Sequence, residues 1–318
     1  MIAREFINIT KLIRQTMPKY IFLTVIALAL YVYTASSMRQ IPHISSAFVP
    51  KSQSVSSVAK TVSRTVNHGQ KPLTYNFTDY PDGPIPAKDW NFEVGAQNAN
   101  YNNEAETYTS SQQNARIQNG LLIIEAKHQK LNGKQYTSAR INTRGVFDFT
   151  YGTLEVDMMM PRGVGTWPAA WLMPSNGIYN TGDFGIAAKD KYAWALNGEI
   201  DFAEAIGSLP GQNIPAAHSY HEIQTTPTYT PAYIINPYSV FHRYGIIKTQ
   251  DKIAFTIDGV TYSTRSKTSG SPLDWPYNQP YYLILNLAIG GNWAGANGID
   301  SSSAPWLLKI KSISYSPL

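Results

Sequence analysis

The 318-residue chain contains no cysteine, and charged residues make up only 15% of it. The absence of cysteine excludes disulfide bonds, thiol chemistry and any metal site with cysteine ligands. A chain of this length is long enough to bury a sizeable core. Aromatic residues are plentiful at 12%, and this composition excludes an intrinsically disordered protein.

Acidic residues are nearly absent from the N-terminal part of the chain. Residues 1–72 hold nine of the 26 lysines and arginines but one of the 21 acids, a net charge of +8. Residues 73–318 hold the remaining 17 basic and 20 acidic residues, a net charge of −3. We therefore expect no nucleic-acid partner for this larger part, because binding to phosphate backbones requires a basic surface.

The N-terminal part has the layout of an export signal. A basic leader precedes a run of 14 residues, Tyr20 to Tyr33, that is uncharged and apolar apart from Thr24, and then a small-x-small pair, Ala35 and Ser37. The run is shorter than a membrane span of about 20 residues, but its extension to Met38 nearly reaches that length. A cleaved signal and an uncleaved membrane anchor therefore both stay open for residues 1–38. In either case we expect the rest of the chain to be exported, either secreted or held at the cell surface.

Residues 39–72 are rich in Ser, Val and Lys and show no sustained hydrophobic period. Such a composition predicts a linker, followed by a folded domain over residues 73–318. An exported domain without disulfides is typical of a bacterium and less usual for a secreted eukaryotic protein. We expect a monomer that contacts a membrane only through an uncleaved N-terminal segment.

Within the domain the pattern is one of strands and turns. Short apolar segments bounded by turn residues predict strands over Gly120–Lys127 and Gly152–Met160, and a last strand covers Leu307–Tyr315. The pair Asp258-Gly259 between two alternating runs predicts a hairpin. The nearly all-apolar Tyr281–Gly291 predicts a strand buried on both faces. Since no long amphipathic helical pattern follows residue 72, we predict an all-β domain built as a β-sandwich.

The stretch "GEIDFAEA" places three carboxylates in six residues. In a regular strand Glu199 and Asp201 share one face, whereas Glu204 shares the other face with the apolar Ile200 and Phe202. A carboxylate buried among core residues without a partner would be costly. We therefore predict a β-bulge at Phe202–Ala203, because one extra residue turns Glu204 onto the face of the other two acids.

Three acids on one face repel one another, so their proton affinities spread apart. One acid can then stay protonated while another is ionised, which is what cleavage of a glycosidic bond requires. In retaining enzymes the two carboxyl groups lie about 5 Å apart and the reaction passes through a covalent intermediate. The alternative is that the strand simply ends at Ala203 and the acids are solvated.

The wider sequence resembles glycoside hydrolase family 16, the group that includes laminarinases and other endo-β-glucanases. The resemblance covers about residues 75–318 and includes several motifs in the family's order: Trp90–Gly95, Asn102–Thr109, Ser138–Pro174, Glu199–Glu204 and Tyr281–Gly295. It implies a jelly-roll β-sandwich of two antiparallel sheets with an open substrate cleft on the concave face. It also implies that Glu199 is the nucleophile, that Glu204 is the general acid and then the general base, and that Asp201 orients both.

The resemblance also bears on substrate and metal. An acid motif with two residues before its last glutamate is the form of laminarinase-like members, which favours β-1,3-glucan as the substrate. Many members bind a structural calcium through an acid in the final strand. Residues 302–318 contain no acid, and Lys309 and Lys311 occupy that region. We expect no metal and no cofactor.

Tryptophans are candidates for the walls of the cleft, because the flat C–H faces of sugars stack on indole rings. Trp167 and Trp171 lie four residues apart and share a face if the segment is extended. Trp293 lies in a glycine-rich loop, which suits the rim of a cleft. Pro168 cannot donate to a strand ladder, so it predicts an edge strand or an irregular segment. The alternative for Trp167 and Trp171 is a place in the core.

Three polar residues complete the candidate substrate contacts. Arg140 and Asn103 match family positions that contact substrate, although both could equally be ordinary surface residues. The family often has a histidine on the strand next to the catalytic one, and of His218 and His221 we match His221 to that position. The chain has no HExxH-type spacing, so we expect no metal role for either histidine.

Three alternatives to a hydrolase of laminarin-like β-1,3-glucan or mixed β-1,3/1,4-glucan stay open. Agarose and carrageenan are rival substrates within the same fold. A transglycosylase that remodels the producer's own wall would use the same two glutamates with a sugar as the acceptor. A β-glucan-binding protein without catalysis is the third, and the presence of Glu199 and Glu204 argues against it.

Overall fold

The computed structural model describes residues 68–69, 71–95, 102–225 and 230–318. The predicted export segment and the predicted linker up to residue 67 lie outside the described residues, so both assignments stay predictions. Within the described ranges no helix combines the length and the apolar character needed to cross a membrane.

The regular secondary structure of the described residues is almost entirely strand, as predicted. The strands are, in chain order, β1 (Leu73–Asn76), β2 (Asn91–Phe92), β3 (Glu106–Tyr108), β4 (Ala115–Gln118), β5 (Leu121–Leu131), β6 (Lys134–Ser138), β7 (Arg140–Asn142), β8 (Gly152–Met159), β9 (Thr166–Pro174), β10 (Glu199–Glu204), β11 (Gln212–Asn213), β12 (Ala216–His218), β13 (Ala232–Tyr233), β14 (His242–Lys248), β15 (Lys252–Ile257), β16 (Val260–Ser266), β17 (Tyr281–Ile289) and β18 (Trp306–Ser316). In the part of the chain that the structure describes, the helices are one α-helical turn, Gly291–Ala294, and short 3-10 helices over Phe77–Asp79, Thr181–Phe184, Ala193–Asn197, Glu222–Gln224 and Ser301–Ser303.

Two large sheets organise these strands. The ten-stranded sheet has the order β16-β15-β14-β8-β18-β5-β6-β3, with β1 paired to β18 and β4 paired to β5. The six-stranded sheet has the order β12-β10-β9-β17-β7-β2 and carries the acid motif on β10. The pairing differs from the predicted antiparallel pattern at one place, because β3 runs parallel to β6 along the open edge of the β5–β6 hairpin. A small third sheet joins β11 and β13.

The core lies between the two large sheets. On β8 the alternate residues Leu154, Val156 and Met158 are buried, while the intervening side chains point away from the core. All nine residues of β17 are buried, since this strand lies between β9 and β7 in the middle of the six-stranded sheet. The prediction of a strand buried on both faces is therefore confirmed.

The predicted hairpin and terminal strand are confirmed as well. Asp258 and Gly259 have φ angles of 52° and 79° and join β15 to β16. This left-handed pair is the two-residue turn whose twist matches antiparallel strands. At the C-terminal end β18 pairs with β1, so the first and last strands of the domain lie side by side in the ten-stranded sheet.

Candidate active site

The predicted bulge is present on β10. Asp201 lies opposite Trp171 on β9, and Ala203 lies opposite the next residue, Ala170. Phe202 is therefore an extra residue without a partner of its own on β9, which is the definition of a bulge. The strand continues beyond it, with Glu204 paired to Ala169, so the alternative of a strand that ends at Ala203 is wrong.

The bulge sorts apolar from acidic side chains as the sequence requires. Ile200, Phe202 and Ala203 are fully buried and belong to the core between the sheets. Glu199 and Glu204 are each half-buried, at the two ends of the strand. Both glutamates avoid the core although their positions differ by five, an odd number that would put them on opposite faces of a regular strand, because the extra residue shifts the phase of the strand.

A histidine completes the acid cluster, and it is His218. It lies on β12 directly opposite Glu199. Its Nε2 is 3.3 Å from Asp201 Oδ2, and its Nδ1 is 3.3 Å from Glu222 Oε2. His218 therefore lies across the strand pair from the acids, and each of its two ring nitrogens contacts one carboxylate.

The match of His221 to this position is wrong. His221 follows β12, is exposed, and its Nδ1 lies 2.8 Å from Asp274 Oδ1. The strand next to β10 ends three residues earlier, at His218, because that is where the register with Glu199 places it. A contact of His221 with substrate stays a prediction, but the histidine beside the acids is His218.

Trp167 couples the candidate cleft wall to the acid motif. Its Nε1 donates a hydrogen bond of 2.8 Å to Oε1 of Glu204. Its ring packs edge-on against Trp293, with ring centroids 5.4 Å apart and an interplanar angle of 88°. Both rings are half-buried rather than in the core, so two of the three predicted tryptophans lie next to each other, and Trp167 contacts Glu204.

Trp171 and Arg140 form a second group on the same sheet. Trp171 is half-buried and donates from Nε1 to Asn286 Oδ1 at 2.8 Å. The guanidinium of Arg140 lies over the Trp171 ring, 4.6 Å from its centroid, and Arg140 Nε is 2.9 Å from Glu93 Oε2. The stack and the ion pair fix Arg140 in place, so it is not a freely moving surface side chain.

Asn103 lies close to the glycine-rich loop that carries Trp293. It is exposed and donates from Nδ2 to Asn292 Oδ1 at 2.9 Å, across 189 residues of sequence. Its φ of 56° is in the left-handed region, where asparagine is better tolerated than most residues. The structure thus brings Asn103 to the loop with Trp293.

The prediction that Pro168 marks an edge or an irregular segment is wrong. Strand β9 lies between β10 and β17, and Pro168 lies opposite Leu287. The chain tolerates proline here because its ring nitrogen faces the β10 side just beyond Glu204, the last residue of β10. On that side Pro168 still accepts a hydrogen bond from the Ala205 N–H, at 3.3 Å.

Trp194 is a candidate that sequence reasoning missed. It lies in the 3-10 helix just before β10 and is 43% exposed. Its ring packs against His218, with centroids 5.7 Å apart and an interplanar angle of 65°. The only signal in the sequence is an aromatic residue shortly before the acid motif, and its exposure depends on a helix that the sequence pattern does not reveal.

Burial raises the pKa of both half-buried glutamates. For Glu199 desolvation and the nearby charge of Asp201 raise the pKa to about 8, against the lowering effects of His218 and Arg140. For Glu204 desolvation and Asp201 also raise the pKa to about 8, while the hydrogen bond from Trp167 lowers it. The two groups interact, so their protons leave in two steps and one intermediate form has one carboxyl protonated and one ionised.

Glu199, Asp201 and His218 each have a ligand atom within 4.8 Å of the others, a spacing that a metal ion could also bridge. Burial lowers the pKa of His218, but its hydrogen bonds to Asp201 and Glu222 outweigh this effect and raise the pKa well above the usual value. An imidazolium has no lone pair for a metal. The raised pKa thus favours a protonated histidine between the carboxylates.

The comparisons with known proteins place the chain among the enzymes that hydrolyse glycosidic bonds, the glycoside hydrolases. It belongs to glycosyl hydrolases family 16, whose sequence profile matches residues 102–306. The beta-glucanase of Rhodothermus marinus is 34% identical over 240 residues, which cover 73% of this chain and 80% of that protein. The glucan endo-1,3-beta-glucosidase of Cryptopygus antarcticus is 30% identical over 263 residues, 76% of this chain and 89% of that protein.

A solved structure shows the same architecture. The laminarinase from Rhodothermus marinus superposes with a TM-score of 0.70 at 31% identity, over 77% of this chain and 96% of that chain. The described strands, with almost no helix, match its fold, and the predicted jelly-roll β-sandwich is confirmed.

Proposed function

We propose that this chain is an endo-acting, retaining hydrolase of β-1,3-glucan or mixed β-1,3/1,4-glucan, with Glu199 as nucleophile and Glu204 as general acid and base. The observation that carries the proposal is the bulge at Phe202. It keeps Glu199 and Glu204 out of the core and half-buried on one strand, with Asp201 and His218 beside them. Enzymes of this kind need one carboxylate to attack carbon and one carboxylic acid to protonate the departing oxygen.

The reaction then runs in two displacements. Glu204 donates its proton to the glycosidic oxygen while the bond from that oxygen to the anomeric carbon breaks, and the carboxylate of Glu199 bonds to the same carbon. In the second step Glu204 takes a proton from water, the water oxygen attacks the anomeric carbon, and the bond to Glu199 breaks. Two inversions give overall retention.

The surrounding residues suit these roles. The hydrogen bond from Trp167 fixes the direction of the Glu204 carboxyl group. The imidazolium of His218 holds Asp201 and lowers the pKa of Glu199, which favours an ionised nucleophile. Trp194 and Trp171 offer half-exposed rings on which sugar units stack.

A β-glucan is the substrate class that the relatives support, because proteins similar over most of this chain are a beta-glucanase and a glucan endo-1,3-beta-glucosidase. The spacing of the acid motif favours the β-1,3 linkage. The presence of both glutamates supports catalysis over binding alone.

We also propose that the enzyme acts outside the cytoplasm as a monomer. Support for export comes from the basic leader and the apolar run Tyr20 to Tyr33. Mass spectrometry of protein isolated from the producing cells would separate the two forms of export. A mature chain that begins after Ser37 indicates a cleaved signal, an intact N-terminus in the membrane fraction indicates an anchor, and intact protein in the cytosol contradicts the proposal.

The test of activity is a panel of polysaccharides with product analysis. The full chain is incubated with laminarin, lichenan, agarose, carrageenan and xyloglucan, beside the variants Glu199→Gln and, as a matched control on the other sheet, Glu155→Gln. Short oligosaccharides from laminarin or lichenan, present with Glu155→Gln and absent with Glu199→Gln, support the proposal. Products longer than the starting chains would indicate transglycosylation, and binding without cleavage would overturn the assignment of an enzyme.

A further inference from the structure

The free edge of the bulge is covered by a side chain instead of a strand. Strand β12 pairs with β10 only along Glu199, Ile200 and Asp201. Beyond the pair of Asp201 and Ala216, the residue that precedes β12 is Pro215, which has no N–H to donate. The backbone groups of Phe202 and Glu204 on this edge therefore need other partners, because unpaired buried backbone groups are costly.

Asn213 supplies both partners from one amide group. Its Oδ1 accepts a 3.0 Å hydrogen bond from the backbone N–H of Glu204. Its Nδ2 donates to the backbone carbonyl of Phe202 at 3.1 Å. A strand partner would offer the same acceptor and donor to this pair of groups, so the amide acts as a one-residue substitute for a strand.

The asparagine is itself held rigidly. Its side chain is completely buried, and its Nδ2 also donates to the hydroxyl of Tyr262 on β16, at 2.8 Å. The following residue, Ile214, donates its N–H to the carbonyl of Glu204 at 2.8 Å. Both backbone groups of Glu204 are thus bound by consecutive residues of β11 and the turn after it.

We propose that Asn213 is a positioning residue for the general acid, because it sets the backbone direction from which the Glu204 side chain leaves the bulge. This inference rests on the proposed role of Glu204. Without the amide the bulge can relax toward regular pairing, and the carboxyl group moves away from the glycosidic oxygen. A misplacement of about 1 Å can reduce catalysis by about 10²-fold.

The effect of a misplaced acid depends on the leaving group. Cleavage of a glucan needs a proton on the departing oxygen, whereas a dinitrophenolate leaves as an anion without one. We therefore expect Asn213→Ala to lower kcat on laminarin by about 10²-fold. Release of dinitrophenolate from an activated glycoside of a short β-glucan, measured in a single turnover, should change by less than about threefold, since this step needs only Glu199.

Two further variants of the full chain keep the test decisive. Asn213→Asp keeps the acceptor for Glu204 and loses the donor to Phe202, so it should show the same selective loss to a smaller degree, and it decides the question if Asn213→Ala does not fold. Asn114→Ala is the matched control. Asn114 is also buried and also bonds a backbone carbonyl, that of Glu125, but it lies in the turn before β4 of the ten-stranded sheet, away from the site. It should leave the ratio of the two activities unchanged.

Equal losses on both substrates in the Asn213 variants, at matched folded fractions by circular dichroism, would overturn the inference and leave Asn213 a structural residue. Glu204→Ala separates this outcome from a failure of the proposed function. If Glu204 is the acid and base, Glu204→Ala keeps the dinitrophenolate burst and its turnover is restored by azide, which attacks the intermediate without a base. If Glu204→Ala shows neither property, the proposed role of Glu204 is wrong.

Discussion

Two clusters of acids in this molecule both contain carboxyl groups with a raised pKa, but their surroundings differ. The site acids, Glu199, Asp201 and Glu204, lie on β10, and the buried pair, Glu104 and Glu106, lies at β3. Burial raises the carboxyl pKa in both clusters, at Glu104 and Glu106 as at Glu199 and Glu204. A raised pKa by itself therefore does not identify the catalytic cluster.

The difference lies in access and partners. Glu106 is completely buried and Glu104 is 6% exposed, whereas Glu199 and Glu204 are half-buried. Glu106 accepts a hydrogen bond of 2.8 Å from the N–H of Ile289, and Glu104 accepts one from the hydroxyl of Tyr108 at 3.3 Å. The buried pair thus joins β3 to the end of β17, while the site acids face a histidine and tryptophan rings. Access for a substrate is what separates the two glutamates of the site from the buried pair, since Arg140 acts on Glu104 as it does on Glu199.

The largest expected effect comes from the nucleophile. Glu199→Gln should lower kcat on laminarin by about 10⁴-fold, which corresponds to about 5 kcal/mol of transition-state free energy. The amide cannot form the glycosyl intermediate, although its size and shape are kept. Steady-state kinetics with reducing-end detection measure the change. A loss below about tenfold would remove the distinction between the two clusters.

The next effect concerns the cation at the site. His218→Asn removes the positive charge that lowers the pKa of Glu199 and Glu204. Both carboxyl groups should then ionise at higher pH, so the acidic limb of the kcat/KM profile moves upward. At pH 6 we expect a loss of about tenfold, with a much smaller loss at alkaline pH. An equal loss at every pH would contradict this role for His218.

A smaller effect is expected at the exposed tryptophan. Trp194→Ala removes a ring that can stack on a sugar, an interaction of about 1 kcal/mol, so KM for laminarin should rise about fivefold with kcat nearly unchanged. Trp194→Phe should restore most of the affinity, since it keeps a flat ring. An unchanged KM in the alanine variant would show that no sugar unit stacks on Trp194.

The smallest effect on activity is expected at the buried pair. Glu106→Gln should change kcat/KM by less than about threefold, because Glu106 is completely buried. Its raised pKa means that the folded chain binds its proton more tightly than the unfolded chain does. The stability it contributes is fully present at acid pH and is lost as the pH rises through the folded-state pKa.

Thermal unfolding measures how the stability contributed by Glu106 depends on pH. The melting temperature of Glu106→Gln should therefore fall less between pH 5 and pH 8 than that of the unchanged chain. A steeper fall in the variant would contradict this linkage between the Glu106 proton and stability, and a loss of activity as large as in Glu199→Gln would show that the buried pair takes part in catalysis.

The sequence predicts those features that depend only on neighbouring residues, such as which face of a strand each side chain occupies. The bulge was predictable because Ile200 and Phe202 must reach the core and Glu204 must not, and only one extra residue satisfies both. The β15–β16 hairpin was predictable because Asp258-Gly259 adopts left-handed angles readily.

Features that depend on cross-strand register were not predictable in the same way. The choice between His218 and His221 depends on how many residues the connection after Glu204 uses before β12 begins. The partnership of Asn213 with the bulge depends on the same connection. The prediction of an edge strand or an irregular segment at Pro168 was wrong for a related reason. A proline in a central strand is acceptable where the neighbouring strand has just ended, and the sequence does not reveal where that end lies.

The pairing of β1 with β18 has a practical consequence. Leu73 lies opposite Tyr315 in the ten-stranded sheet, and the hydroxyl of Tyr315 donates to the carbonyl of Tyr151, the residue before β8, at 2.7 Å. Fusion partners or solid supports attached at either end of the domain would therefore approach the sheet that lacks the site acids. Such attachments leave β10 clear, so the enzyme suits immobilisation on resins that must process long, insoluble polymers.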